Sequence, residues 1–252
     1  MPDQPDETPE LREVDVETML QLMRSGPLEV RGLLPWSSNY TFLGEIADPD
    51  QAGAALVVYK PRKGERPLWD FPQGTLYKRE AAAYLISAAL GWDLVPPTVL
   101  RDGPHGVGSV QLFIDADYDQ HYFTLKDDHP EQFQRMALFD VVINNADRKG
   151  GHVLLGSDGR IWAIDHGIAF HDEYKLRTVI WEWVGQPIPP DERADLERLQ
   201  AQLAEDHPLA EALGKLLYPR EIKAMRSRLE RLLKSSKFPG PSGQRSMPWP
   251  PV

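Results

Sequence analysis

The sequence predicts an α+β chain of two lobes, a mostly antiparallel sheet with one helix followed by a mainly helical part that opens on a hairpin. Three observations carry this prediction. Residues 28–115 contain five apolar runs of strand length punctuated by turn residues. Beyond residue 130 the apolar side chains recur at helical spacing instead. Where the pattern changes, two short apolar runs flank Gly156-Ser157-Asp158-Gly159-Arg160, a Gly- and Asp-rich turn of the kind that closes a hairpin.

In chain order, Leu28–Leu34, Tyr40–Ile46 and Ala54–Lys60 read as strands, with turns at Trp36–Asn39 and Asp48–Gly53. A loop with Pro67, Pro72 and Gly74 leads into an Ala-rich helix over Lys78–Leu90, in which Leu85, Ala89 and Trp92 recur on one face. Val95–Leu100 and Gly108–Ile114 are two further strands around the turn cluster Arg101–Gly106. Glu131–Ile143 is apolar on several sides, as a buried helix would be. Helices are expected at 191–205, 208–217 and 219–234. The division is therefore an acidic, Pro-rich tail over 1–14, a first lobe over 15–115, a second over 116–235, and a Pro-, Gly- and Ser-rich tail over 236–252. Both tails are expected to be disordered.

At 252 residues the chain can bury a substantial core. Its 28 basic and 38 acidic side chains give a net charge of −10, which excludes a general binder of nucleic acid or anionic membrane. With no cysteine it suits a reducing compartment. The polar start is not a signal peptide, and no apolar run approaches the roughly 20 residues that span a bilayer. These features describe a soluble, cytoplasmic protein without a membrane span.

The hairpin carries chemistry. Pairing of Val153-Leu154-Leu155 with Ile161-Trp162-Ala163-Ile164 would bring together Asp147 and Asp165, which lie at its two ends. Phosphoryl transfer from a nucleotide asks for a lid over the phosphates, a lysine on them, carboxylates for a divalent cation, and a group that orients the acceptor. Each has a candidate in order along the chain. Lys60 ends a buried strand and needs an anion, and Glu80, on the helix that follows, is its expected partner. Ser37, Ser38 and Asn39 lie between the first two strands, where their backbone N–H groups could face phosphate. Arg148 and Lys149 beside Asp147 either meet the transferred phosphate or are solvated. Asp140, in the helix before them, reads as an acid that orients this loop. Trp181 and Trp183, in the segment after Asp165, either line an acceptor pocket or pack the segment down. His152, His166 and His171-Asp172 also invite a metal phosphohydrolase reading, but strands and turns surround them where that chemistry uses helices. From Lys215 to Lys237 there are eight basic and two acidic residues, a solvated face or a dock for an acidic partner.

A β-rich lobe with a lysine and a helix glutamate, then a helical lobe opened by two aspartates on a hairpin, is the plan of a two-lobed kinase. Asn145-Ala146-Asp147-Arg148, the hairpin and Ile164-Asp165-His166-Gly167 together resemble the phosphatidylinositol 3-/4-kinase-like superfamily. That group includes bacterial HipA-type protein kinases and type II phosphatidylinositol 4-kinases, and the chain is also similar to an actinobacterial phosphatidylinositol-kinase-like family. The resemblance implies a protein-kinase-like fold, with ATP and Mg²⁺ or Mn²⁺ as cofactors. It also implies that Lys60 is the phosphate lysine, Glu80 its partner, and Gln111, Leu112 and Phe113 the start of an adenine-binding linker. Asp147 would be the catalytic aspartate and Asp165 the metal ligand. One position departs from the family: His152 stands where a metal-binding Asn is usual. Imidazole suits softer cations than an amide oxygen does. The expected activity is ATP-dependent phosphotransfer to a hydroxyl of a protein or small molecule rather than a lipid. An AMP-transferring enzyme or a nucleotide-binding pseudokinase is the alternative.

Overall fold

The computed structural model describes residues 15–34, 39–47, 54–243 and 246–252. The N-terminal tail and the turn read at Asp48–Gly53 lie outside the described residues. Five strands, β1 (Leu28–Leu33), β2 (Phe42–Ala47), β3 (Ala54–Pro61), β4 (Thr98–Gly103) and β5 (Gly106–Leu112), form one antiparallel sheet in the order β1-β2-β3-β5-β4. The central place of β3 puts Lys60 on an inner strand, opposite Ser109 of β5.

A helix that the sequence reading left out, α1 (Val16–Ser25), opens the described chain. The Asp15 side chain caps it by accepting from the N–H groups of Glu17 and Thr18. Its buried face presents Leu20 and Met23 to Ile46, Val57, Tyr59, Val99 and Val110. The helix is short and follows an acidic, Pro-rich stretch, so its few apolar positions merged with the tail.

Gly108 lets β5 lie against the Lys60 strand. A Cβ there would stand 2.4 Å from the Lys60 carbonyl oxygen and 2.7 Å from the Pro61 Cα. Both are backbone atoms that no side-chain rotation can clear. Gly108→Ala is expected to cost about 1–3 kcal/mol, the range for overpacking, read as a lower urea midpoint with an unchanged slope.

The helix α2 (Leu76–Leu90) follows, and Gly91 ends it in the left-handed conformation, its N–H bonded to the Ser87 and Ala88 carbonyls. The second lobe contains β6 (Ala116–Asp117), α3 (Tyr122–Leu125), α4 (Pro130–Ile143), β7 (Val153–Gly156), β8 (Ile161–Ala163), α5 (Pro190–Gln202), α6 (Pro208–Gly214) and α7 (Pro219–Ser235). Proline opens four of these helices, where its missing N–H costs no intrahelical bond. The expected hairpin is β7–β8, paired Val153 to Ala163 and Leu155 to Ile161, with β6 added at its edge. Buried Phe133, Met136, Phe139 and Val142 of α4 pack with Leu196, Leu199, Met225 and Leu229 into the main core. Trp181 and Trp183 pack against it as well.

The lobes are joined by a buried ion pair. Arg79 of α2 meets Glu221 of α7 and also donates to the Ala169 carbonyl. The residue next to Glu80 is thereby anchored in the second lobe.

The C-terminal segment differs from the disordered tail read from its composition. Phe238 is buried beside Trp183 and exchanges backbone hydrogen bonds with Gly185 and Gln186. Further on, the Ser246 carbonyl accepts from Thr178 N–H at 3.1 Å and the Pro251 carbonyl from Gly150 N–H at 2.7 Å. Proline bars a helix but leaves carbonyls free to accept.

Candidate active site

The loop that joins α4 to the hairpin is built from its base upward. Asn144 ends α4 at φ +54°, and its side chain donates to the His171 and Glu173 carbonyls and accepts from Lys175 N–H. Asn tolerates this left-handed geometry better than most residues. Asn145 donates to Asp140 at 2.9 Å and accepts from Asp147 N–H at 3.1 Å.

Arg148 lies at the centre of this construction, fully buried. It forks onto the Asp140 carboxylate at 3.1–3.2 Å and donates to the carbonyls of His152 and Ile164. Its Nη2 is 2.7 Å from the His166 ring, and burial and the Arg148 charge push that imidazole well below its ordinary pKa. Asp140 also accepts from Thr178. The expectation that Arg148 meets phosphate or substrate is therefore overturned: it is a strut between α4 and both ends of the hairpin. Asp140 is its counter-charge. Neighbouring side chains in an irregular loop point in different directions, and adjacency to Asp147 gave no warning of this.

Above the strut the charged groups converge. Lys60 Nζ donates to Glu80 Oε1 at 2.6 Å and to Asp165 Oδ1 at 3.0 Å. The other Glu80 oxygen accepts from His166 N–H at 2.9 Å, so one carboxylate fixes both the lysine and the Asp165 turn. Asp165 itself sits at φ +63°, a conformation Asp adopts at moderate cost. Burial opposes the Lys60 charge, but Asp165 and Glu80 outweigh it and hold the ammonium above its ordinary pKa. Lys60 in turn holds the Asp165 carboxyl well below the carboxylate range.

His152 Nε2 stands 3.4 Å from Asp165 Oδ2, and its Nδ1 lies 2.8 Å from the Asp147 carbonyl oxygen. A carbonyl can only accept, so the ring proton sits on Nδ1 and the Nε2 lone pair faces Asp165. Burial lowers the His152 pKa, which keeps the ring neutral. Lys149 Nζ is 3.5 Å from Asp147 Oδ2. Burial raises the Asp147 carboxyl, against the pull of Lys149 and His152.

One cleft is lined by Asn39, Lys60, Glu65, Glu80, Asp147, Asp165 and Gly167. Of the expected lid, Asn39 reaches it, and its side chain accepts from Arg66 N–H at 2.8 Å. Ser37 and Ser38 lie outside the described residues. Gln111, Leu112 and Phe113 are not among the residues that line this cleft. The Gln111 amide donates to Thr98 within the sheet, and Leu112 packs on the α1 side. The N–H groups of Leu112 and Phe113 are taken by Pro97 and Leu56 carbonyls.

The family profile described as phosphatidylinositol 3- and 4-kinase matches residues 95–207, which hold Asp147, His152 and Asp165. Protein Rv2133c of Mycobacterium tuberculosis is 42% identical, over 91% of this chain and 94% of its own length. The chain belongs to the phosphatidylinositol 3- and 4-kinase family. Phosphatidylinositol 4-kinase type 2-beta of Gallus gallus is 26% identical over 63% of this chain, and the match takes in about half (53%) of that protein. Among solved structures, the Golgi casein kinase with Mn/ADP bound superimposes with a TM-score of 0.54 at 16% identity, covering 87% of this chain and 75% of that one. The fold is protein-kinase-like, as the order of elements predicted.

Proposed function

We propose that this chain is an ATP-dependent phosphotransferase acting on a hydroxyl of a protein or small molecule. The observation that carries the reading is Lys60 held between Glu80 and Asp165, with Asp147 in the same cleft. Lys60 would bind the nucleotide phosphates, kept in place by Glu80. Asp147 would orient the acceptor hydroxyl and take its proton, a role that a raised carboxyl pKa favours. Lys149 would steady that carboxylate. Asn39 is the described part of a phosphate lid.

Asp165 and His152 fit a divalent cation. Two donors, each about 2.1 Å from one ion, stand roughly 3.0–3.4 Å apart at octahedral to tetrahedral angles, and Asp165 Oδ2 and His152 Nε2 are 3.4 Å apart. Among the described residues no three His, Asp or Glu side chains form a cage, so nucleotide oxygens would complete the coordination. The cation would supply charge neutralisation on the phosphates. ADP with Mn is what the Golgi casein kinase structure holds. An imidazole ligand favours Mn²⁺ over Mg²⁺. His152→Asn is expected to lower the ratio of Mn²⁺- to Mg²⁺-supported turnover by about tenfold, the effect of roughly 1.4 kcal/mol at one ligand. An unchanged ratio would remove His152 from the coordination shell.

A protein or metabolite acceptor is preferred to a lipid because the net charge of −10 opposes approach to anionic headgroups. No helix among the described residues is long and apolar enough to cross a membrane. Absence of cysteine agrees with a cytoplasmic setting. Incubation with radiolabelled ATP alongside either an acidic-to-neutral polypeptide mixture or phosphatidylinositol vesicles tests the choice. Label is expected in the polypeptide, and label confined to lipid would overturn it.

A further inference from the structure

Two backbone amides beside Asp147 are covered by one distant segment of the chain. The Arg148 N–H bonds the Arg177 carbonyl and the Val179 N–H the Arg148 carbonyl, so 177–179 runs alongside the Asp147 loop as a short parallel partner. Successive N–H groups of an extended strand face opposite edges. The Thr178 N–H therefore points away from that loop, and it donates to the Ser246 carbonyl at 3.1 Å. The Gly150 N–H, just past Lys149, donates to the Pro251 carbonyl at 2.7 Å. Residues 246–252 thus reach from the outer edge of 177–179 to the end of the Asp147 loop. They cross on the solvent side, since the inner side is filled where Thr178 Oγ1 donates to buried Asp140. Pro248 is buried in this crossing, whereas Trp249 is 89% exposed.

Gly150 suits the close approach. A Cβ there would stand 3.0 Å from the Phe123 ring and 3.4 Å from the Pro251 carbonyl oxygen, so a side chain would press on the segment. The first-lobe side of the cleft is occupied by Lys60, Glu80 and Asn39. That leaves the second-lobe side, over Lys149 and Gly150, for a molecule that delivers a hydroxyl to Asp147. The segment lies there. Two hydrogen bonds and one buried proline are set against the freedom lost by the ordered residues, so the contact is weak enough to be displaced. Its prolines limit that loss by narrowing the conformations of the free segment.

We infer that the Gly150 and Thr178 amides form a docking strip for an unfolded polypeptide, and that residues 246–252 occupy it as a built-in competitor. The inference rests on the phosphotransfer reading of Asp147 and narrows its acceptor to a polypeptide. Backbone carbonyls repeat along any polypeptide and can take both amides, whereas a small hydroxyl compound carries no such series. At about 3.8 Å per residue, the Gly150 anchor lies within about 11 Å of Asp147, a distance that a docked chain bridges in a few residues.

The test compares the full-length wild type with the double variant Pro248→Gly/Pro251→Gly, which loosens the segment and leaves the site untouched. Hydrogen exchange resolved at single amides is expected to be about tenfold faster at Gly150 and Thr178 in the variant. The Val179 N–H, bonded within the second lobe, should stay within about twofold and reports that the fold is intact. Dephosphorylated casein, titrated without nucleotide, is expected to bind about tenfold more tightly to the variant, as when a blocked state populated about nine-tenths of the time is released. The affinity for ATP should change by less than about twofold. Equal exchange at Gly150 and Thr178 in the two proteins would overturn the inference. So would equal casein affinity, or an ATP affinity that tightens as much as that for casein. None of these readouts needs turnover. Casein binding that tightens while neither protein transfers phosphate would count against the phosphotransfer reading and leave the polypeptide strip standing.

Discussion

Asp140→Ala is expected to destabilise the protein by about 3–5 kcal/mol, the cost of leaving one partner of a buried ion pair without the other. Both Asp140 and Arg148 are completely buried. Arg148 would lose its only carboxylate partner among the described residues while its remaining donors stay fixed on the carbonyls of His152 and Ile164 and on the His166 ring. Asn145 and Thr178 lose an acceptor in the same step. That makes the change worse than an ordinary surface deletion, whose effect stays within about 0.5 kcal/mol. Asp140→Asn keeps the shape and one acceptor oxygen and should fall between the two. Urea unfolding followed by tryptophan fluorescence reads both. If Asp140→Ala unfolds with the wild-type midpoint, Arg148 is not the strut described above.

The second large effect concerns Asp165. Asp165→Asn is expected to leave stability nearly unchanged, because the side chain is 48% exposed and exposed pairs contribute about 0–1 kcal/mol. Asn also tolerates the positive φ that Ala would not. Turnover, by contrast, should fall at least about 10³-fold, since the carboxylate is proposed to face a divalent cation in a charge-dominated reaction. The stabilisation of the chain by ATP should lose its dependence on divalent cation. Lys60 would keep Glu80 as its partner at 2.6 Å, so the loss could not be assigned to a collapsed lysine. A variant that is stable, binds nucleotide with cation as before, and turns over normally would remove Asp165 from the chemistry.

The parts of the fold legible in sequence are those with a local signal. Apolar runs between turn residues located the strands, the turn Gly156–Arg160 located the hairpin, and Lys60 and Asp165 were readable because each ends an apolar run. The element boundaries fell within a few residues of those observed. Groups whose partners are set by tertiary packing rather than by element order were not legible. Nothing near Arg79 announces Glu221, and nothing near Arg148 says that it points down to Asp140 rather than out to solvent. Asn144 was visible as part of a motif, but its role as a left-handed cap that ties three backbone groups belongs to tertiary structure. The Gln111 side chain bonds Thr98 within the sheet, a tertiary contact that its place in element order does not announce. Composition misjudged the C-terminal segment because Pro and Gly report what a backbone cannot form, whereas Phe238 and free carbonyls decide what it docks against.

The central claim is that Lys60, Asp147 and Asp165 form one phosphotransfer centre. It is tested most directly by measuring ATP turnover with Mn²⁺ and with Mg²⁺ for wild type, Asp147→Asn and Asp165→Asn, with the products identified by mass. Wild type is expected to release ADP and to show a mass increase of one phosphoryl group on an acceptor. Both variants are expected to remain folded, with Asp147→Asn losing about 10²–10⁴-fold in turnover, the range for a displaced general base, and Asp165→Asn at least about 10³-fold. Full turnover in both variants, or no cation-dependent turnover in wild type, would contradict the account.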